Sequence, residues 1–220
     1  ILLGILFQRL GQGGDHRGEP PGFEATARLL RDPSLWIMAV VFVVGIGTTM
    51  GIYLMMPLYL VSEIRMDREV ANTLIGFSRL AGLALVLLSG LVTDRIGHQR
   101  ALALFLSATG ILTLLLGALP GPTVTPVLVF LQAAFAACFF PSAFSIVSRL
   151  FAPRLRNLAV SLVAVAGSLV GAGAIPTGIG YFAEAFSFSS AICLTGLLTL
   201  AAVPLLLRVG GPGNGTDPRV

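Results

Sequence analysis

Residues 70–119 read VANTLIGFSRLAGLALVLLSGLVTDRIGHQRALALFLSATGILTLLLGAL. Two apolar runs, Val70 to Val92 and Ala101 to Leu119, flank a charged turn holding Asp94, Arg95, His98 and Arg100. Crossing a bilayer takes about 20 apolar residues as a helix rising about 1.5 Å per residue, and both runs meet that length. Hydrocarbon cannot satisfy the open edge of a sheet, so these runs predict helices and not strands. The stretch therefore reads as helix, charged turn, helix.

Four more segments pass the same test: Leu35 to Val61, Val124 to Leu150, Leu158 to Ala183, and Phe188 to Leu207. Composition agrees, because apolar residues make up 55% of the 220 and charged ones 11%. With a mean hydropathy of +0.92, the chain has too little polar surface for a water-soluble globule. An all-α membrane protein with six transmembrane helices is the expectation.

All fourteen basic residues are arginine, and their placement is ordered. Arg9, Arg17, Arg28 and Arg31 precede the first span, Arg95 and Arg100 follow the second, Arg149, Arg154 and Arg156 follow the fourth, and Arg208 and Arg219 follow the sixth. These are alternate connections, so eleven arginines fall on one side of a six-span bundle. The opposite side has Arg65 and Arg68, offset by Glu63, Asp67 and Glu69. Arginine-rich loops stay cytoplasmic, which puts both ends of the chain there, with the bacterial inner (plasma) membrane as the expected location. The pI near 9.8 then reports orientation, and no nucleic-acid partner is expected.

Residues 1–7 form an apolar run too short to span, expected to be the end of a preceding transmembrane helix. Residues 8–34 read as a cytoplasmic central linker, with a short amphipathic helix over Phe23 to Arg31. The bundle proper covers 35–208, and 209–220 read as a disordered cytoplasmic tail. Asn214-Gly215-Thr216 matches a glycosylation sequon but lies on the cytoplasmic side. Cys138 and Cys193 sit inside apolar runs as small packing residues, and neither a metal site nor a cofactor is expected.

The turn Gly90-Leu91-Val92-Thr93-Asp94-Arg95-Ile96-Gly97-His98-Gln99-Arg100 resembles the signature Gly-x-x-x-Asp-Arg-x-Gly-x-x-Arg of the major facilitator superfamily. A solvated charged turn is the plainer reading of the same residues. Pro153-Arg154-Leu155-Arg156-Asn157-Leu158-Ala159 is similar to a second family turn, with Asn157 where glycine is usual. The resemblance spans Leu35 to Leu207 and implies the C-terminal six-helix half of a twelve-helix transporter, built of two inverted three-helix repeats. Gly90, Asp94, Ile96, Ala101 and Leu102 align at an offset of ninety with Gly180, Glu184, Phe186, Ala191 and Ile192, as such repeats require. The resemblance also implies that Gly90, Asp94, Arg95, Gly97 and Arg100 form a conformational latch against the absent N-terminal half. No sugar-porter signature Pro-Glu-Ser/Thr-Arg-Gly follows the sixth span, which argues against a hexose carrier.

Arg79 lies near the middle of the second span, roughly 14 Å from its outer boundary. A central arginine costs about 2.5 to 3.5 kcal/mol on insertion scales, so it faces a cavity or a partner. With no carboxylate at similar depth, it is a candidate for an anionic solute; snorkelling to headgroups or pairing with the other half is the alternative. Thr48, Thr49 and Tyr53 of the first span, with Gln132 and Ser142 of the fourth, are candidate substrate hydrogen-bonding groups, or equally interhelical packing. Gly171, Gly173, Pro176 and Gly178 of the fifth span read as a hinge or packing element, not a ligand site. Paired acids, a metal-ligand spacing or a nucleophile beside a base do not occur in the spans, so an enzyme is not expected. The expected function is secondary transport of a small solute, an organic or inorganic anion. The alternatives are an exporter of neutral or cationic compounds and a non-transporting membrane scaffold or receptor.

Overall fold

Asp32 starts the first span by capping it: its carboxylate accepts from the Ser34 amide at 2.8 Å, and Pro33 fills a first-turn position where no N–H is needed. From there the fold unrolls, in a computed structural model that describes Gly22–Leu206, Arg208 and Val209. Seven helices follow in order: α1 (Phe23–Arg31), α2 (Pro33–Ser62), α3 (Arg68–Ile96), α4 (His98–Ala118), α5 (Val124–Leu150), α6 (Pro153–Ala185) and α7 (Phe188–Leu206). All six expected spans form, α1 is the expected amphipathic helix, and no strand occurs among the described residues. The run at 1–7, the linker before Gly22, Leu207 and the tail beyond Val209 lie outside the described residues.

Helix α3 runs on through Thr93, Asp94 and Arg95, and the turn that looks like a loop in the sequence is Gly97 alone. Its φ of 88° suits glycine, and α4 begins at the next residue. Reversal on one residue keeps Asp94 and Arg95 in the last turn of one helix and Arg100 in the first turn of the next.

Three spans are interrupted, and proline accounts for part of the pattern. Helix α5 breaks into a turn at Cys138, because Pro141 has no N–H for the Ala137 carbonyl. Helix α2 carries a π-helical segment over Gly47–Gly51, and α6 carries one over Gly167–Ala174, just ahead of Pro176. The two wide segments face each other along a glycine seam. A Cβ on Gly171 would lie 2.5 Å from the Val43 carbonyl oxygen and one on Gly51 would lie 3.1 Å from the Gly171 oxygen, so small residues set this helix separation.

Helices α4 and α7 pack antiparallel on the same principle. A Cβ on Gly117 would sit 2.4 Å from the Ser189 oxygen, while further along Gly110 meets Leu200. They begin at His98 and Phe188, the offset of ninety that the internal alignment expects. Helix α5 runs opposite to α2, α6 opposite to α3 and α7 opposite to α4, so the second triplet is inverted relative to the first.

Contacts across the termini sort the two ends of the bundle. At one end His98 Nδ1 pairs with Ser145 Oγ at 2.9 Å, and Gln99 Nε2 donates to the Leu206 and Val209 carbonyls. That gathers the α3–α4 turn with the ends of α5 and α7, so Arg95, Arg100, Arg149 and Arg208 share this end. At the other end both Glu63 carboxylate oxygens accept from the Ser189 amide at 3.2 Å, capping α7.

Two large apolar clusters, with a smaller one around Ala101, Phe105 and Cys138, fill the bundle. One, around Met38, Phe42, Leu106, Phe139 and Val147, lies toward the arginine-rich end; the other, around Met56, Tyr59, Leu116, Val129 and Ile192, lies toward the opposite end. Between them runs a belt of fully buried polar side chains, Thr48, Thr113, Gln132 and Thr199, one from each of α2, α4, α5 and α7.

Candidate functional site

Helices α2, α3 and α5 line an open-sided cavity of about 390 Å³. The gap exists because α3 and α5 touch tightly at Gly82, whose Cβ would be 3.1 Å from the Ala133 oxygen, and α5 then breaks ahead of Pro141. Thr49, Met50 and Tyr53 line it from α2, Arg79, Leu83 and Val86 from α3, and Ala137 and Phe140 from α5.

The electrostatics of this cavity are simple: among the described residues it is lined by one cation and no carboxylate. The Arg79 guanidinium carbon lies 4.5 Å from the centre of the Tyr53 ring, a cation–π contact that holds the guanidinium face and leaves its N–H edges without a partner among the described residues. Glu69 and Asp94 on the same helix are about 15 and 22 Å away along its axis. Proton directions follow from the partners. Ser78 Oγ donates to the Ile75 oxygen at 2.8 Å, so the Tyr53 hydroxyl donates to Ser78 across 3.1 Å. Thr49 donates to the Gly45 oxygen at 2.8 Å. Both hydroxyl protons are therefore committed internally, and among the described residues the free donors facing the cavity belong to Arg79.

Of the six residues that the sequence nominated for substrate contact, the structure brings Arg79, Tyr53 and Thr49 together in this cavity. Thr48, Gln132 and Ser142 lie in the packed interior. The Thr48 hydroxyl bonds the Val44 oxygen and Thr199, and Gln132 Nε2 donates to the Thr48 oxygen at 3.1 Å and to Thr113 at 3.3 Å. Ser142 Oγ lies 3.4 Å from Thr93 Oγ1. A π-helical turn leaves carbonyls without their usual i+4 donors, and the Gln132 amide takes up the one at Thr48.

Gly90, Asp94, Arg95, Gly97 and Arg100 gather on the exposed surface at the arginine-rich end. A Cβ on Gly90 would meet nothing within 4 Å, so its lack of a side chain serves no contact among the described residues. Of the residues nominated as a hinge, Gly171 and Pro176 are buried against α2, whereas Gly173 and Gly178 lie on the exposed face of α6. Ser78, Gly82, Leu83, Val86 and Ala137 belong to the cavity or its support and were not singled out from the sequence. Gly82 with Ala133 and Ala137, small residues on two spans, was the available signal.

The sequence profile of the Major Facilitator Superfamily matches residues 2–129 and 37–219. Among curated proteins, none matches this chain in sequence. Among solved structures, the chain is similar to a variant of the E. coli fucose:proton symporter FucP, with a TM-score of 0.82 at 17% identity, covering 96% of this chain and 52% of that one. It is also similar to FucP, a Major Facilitator Superfamily transporter, in the outward conformation, with a TM-score of 0.78 at 17% identity and the same coverages. The chain thus spans about half the length of the transporter structures it matches. The six apolar helices, the signature turn at Gly97 and the profile match over nearly the whole chain lead to one conclusion: this chain is an integral membrane protein belonging to the Major Facilitator Superfamily, a family of transporters and not of enzymes.

Proposed function

We propose that the chain is the C-terminal half of an alternating-access secondary transporter, and that the solute is a small anion bound against Arg79. The observation that carries this reading is an arginine in the middle of a span, stacked on Tyr53 and facing a cavity that no carboxylate lines. Such a cation is costly in hydrocarbon unless a counter-charge or water meets it, and a transported anion supplies that charge. The arrangement also suits rocking. Helices α3 and α6 are the least buried spans, at 17% and 22%, and they flank α2, so this face is where a second bundle would dock. The paired π-helical segments of α2 and α6, with Gly171 and Pro176, give that face a place to bend. The arginine-rich end is cytoplasmic in this reading, and Asp94, Arg95 and Arg100 latch to the other half when the pathway is closed there.

FucP carries a sugar with a proton; a site whose free donors among the described residues belong to one guanidinium is better matched to an anion. Full-length protein in proteoliposomes should accumulate a labelled anion down an imposed gradient, with competition by other anions and none by a lipophilic cation. Cation flux without anion flux would instead identify an exporter of cationic compounds, and no flux of any solute would favour a scaffold.

A further inference from the structure

We infer that Gln132 is a positioning residue of the transport site: it pins the π-helical turn of α2 at Gly47–Gly51 and so holds Tyr53 against Arg79. This rests on the reading of the cavity beside Arg79 as the transport site. The contacts that carry it lie inside this bundle, because Thr48, Thr113, Gln132 and Thr199 are fully buried by α2, α4, α5 and α7 themselves, where a second bundle reaches none of them.

In an α-helix the Ile52 amide bonds the Thr48 carbonyl, four residues back. Here it bonds the Gly47 carbonyl, five residues back. The Thr48 oxygen takes its bond from another helix instead, with Gln132 Nε2 of α5 donating at 3.1 Å. A buried carbonyl left unpaired is costly, so this donor stabilises the wide turn where it stands. Gln132 is committed to that contact: Nε2 also donates to Thr113 Oγ1 at 3.3 Å, while Oε1 has no partner among the described residues.

The extra residue of the wide turn has one way to move. Phe42 before it and Tyr59 and Leu60 after it are fully buried, so neither flank of α2 rotates to absorb it. It can migrate along the helix, and the next place is one turn on, where Pro57 has no N–H for the Tyr53 carbonyl. Migration turns the residues in between by about 100°, which puts Ile52 where Tyr53 now stands. Tyr53 then leaves Arg79, and the cavity loses the ring that orients its guanidinium.

The test uses full-length protein in proteoliposomes with its native thiols replaced, and reads the rate at which a small membrane-impermeant thiol reagent modifies single cysteines. Ala137→Cys reports the cavity, Ile52→Cys the migrated turn, and Leu60→Cys, fully buried beyond Pro57, any general loosening. Gln132→Met, close in length but without an N–H, should raise the Ile52→Cys rate about tenfold and leave Leu60→Cys unchanged. Thr113→Val removes the other acceptor of Gln132 and should change the Ile52→Cys rate by no more than about twofold. Gln132→Asn keeps an amide one methylene too short to reach Thr48; it should act as Gln132→Met does, and carries the test where that variant does not fold. With Ala137→Cys still reactive, equal acceleration at positions 52 and 60, equal acceleration by Thr113→Val, or none at position 52 would overturn the inference alone. An unreactive Ala137→Cys would overturn the reading of the cavity as a transport site and this inference with it.

Discussion

Arg79→Ala should abolish anion uptake by the full-length transporter, with a fall in kcat/KM of two orders of magnitude or more, while Arg79→Lys retains a measurable fraction. A charge-assisted hydrogen-bonded pair withdrawn from water is worth about 2 to 5 kcal/mol when one partner is truncated, which converts to roughly 30-fold to several thousand-fold. Lysine keeps the charge but loses the two-pronged geometry and the stack on Tyr53, so it restores attraction without orientation. Folding should be preserved in both variants, because the Arg79 side chain is exposed on the cavity face and its loss opens no hole in the packed interior. Equal uptake by wild type and Arg79→Ala would remove the anion assignment.

A comparable loss, of structure this time, is expected along the α2–α6 seam. Gly171→Ala places a methyl 2.5 Å from the Val43 oxygen and 3.0 Å from the Gly47 nitrogen, which are backbone atoms and cannot swing aside as a side chain would. The helices must part, and overpacking of this kind costs about 1 to 3 kcal/mol even after relaxation. Glycine to alanine in an open helical position gains about 1 kcal/mol from propensity, so Gly178→Ala, where a Cβ meets nothing within 4 Å, should be neutral or stabilising. Thermal unfolding in detergent checks the pair. A midpoint lowered by several degrees for Gly171→Ala and unchanged or raised for Gly178→Ala is the expected outcome; equal midpoints would mean the seam does not hold the bundle.

The architecture was legible because a bilayer leaves few choices. Runs such as Ala101 to Leu119 can only be helices there, and the arginines mark alternate connections, so span number and the connections that share an end followed from length and charge. Arg79 was legible for the same reason, as a charge where charges are costly. The surroundings of Arg79 were less so. Thr48 and Thr49 are adjacent and chemically alike, yet one points into the buried belt with Thr199 and the other toward the cavity, and the π-helical turn that sets this rotation has no sequence signal sharper than its glycines. Gln132 reads equally as a substrate-binding amide or as interhelical packing until its donor is seen on the Thr48 carbonyl. The charged turn was placed correctly, but its compression to Gly97 alone depends on a backbone angle.

The central claim is that the cavity between α2, α3 and α5 opens to water on alternate sides of the membrane with solute inside it. Ala137 lines that cavity, while Cys138 beside it is fully buried and Cys193 is half-buried, so a cysteine at position 137 in a background with both native thiols replaced reports on the cavity alone. In the full-length transporter, Ala137→Cys should react with a membrane-impermeant thiol reagent from either side, and the substrate anion should protect it. Labelling from neither side, or labelling that saturating substrate leaves unchanged, would contradict the account.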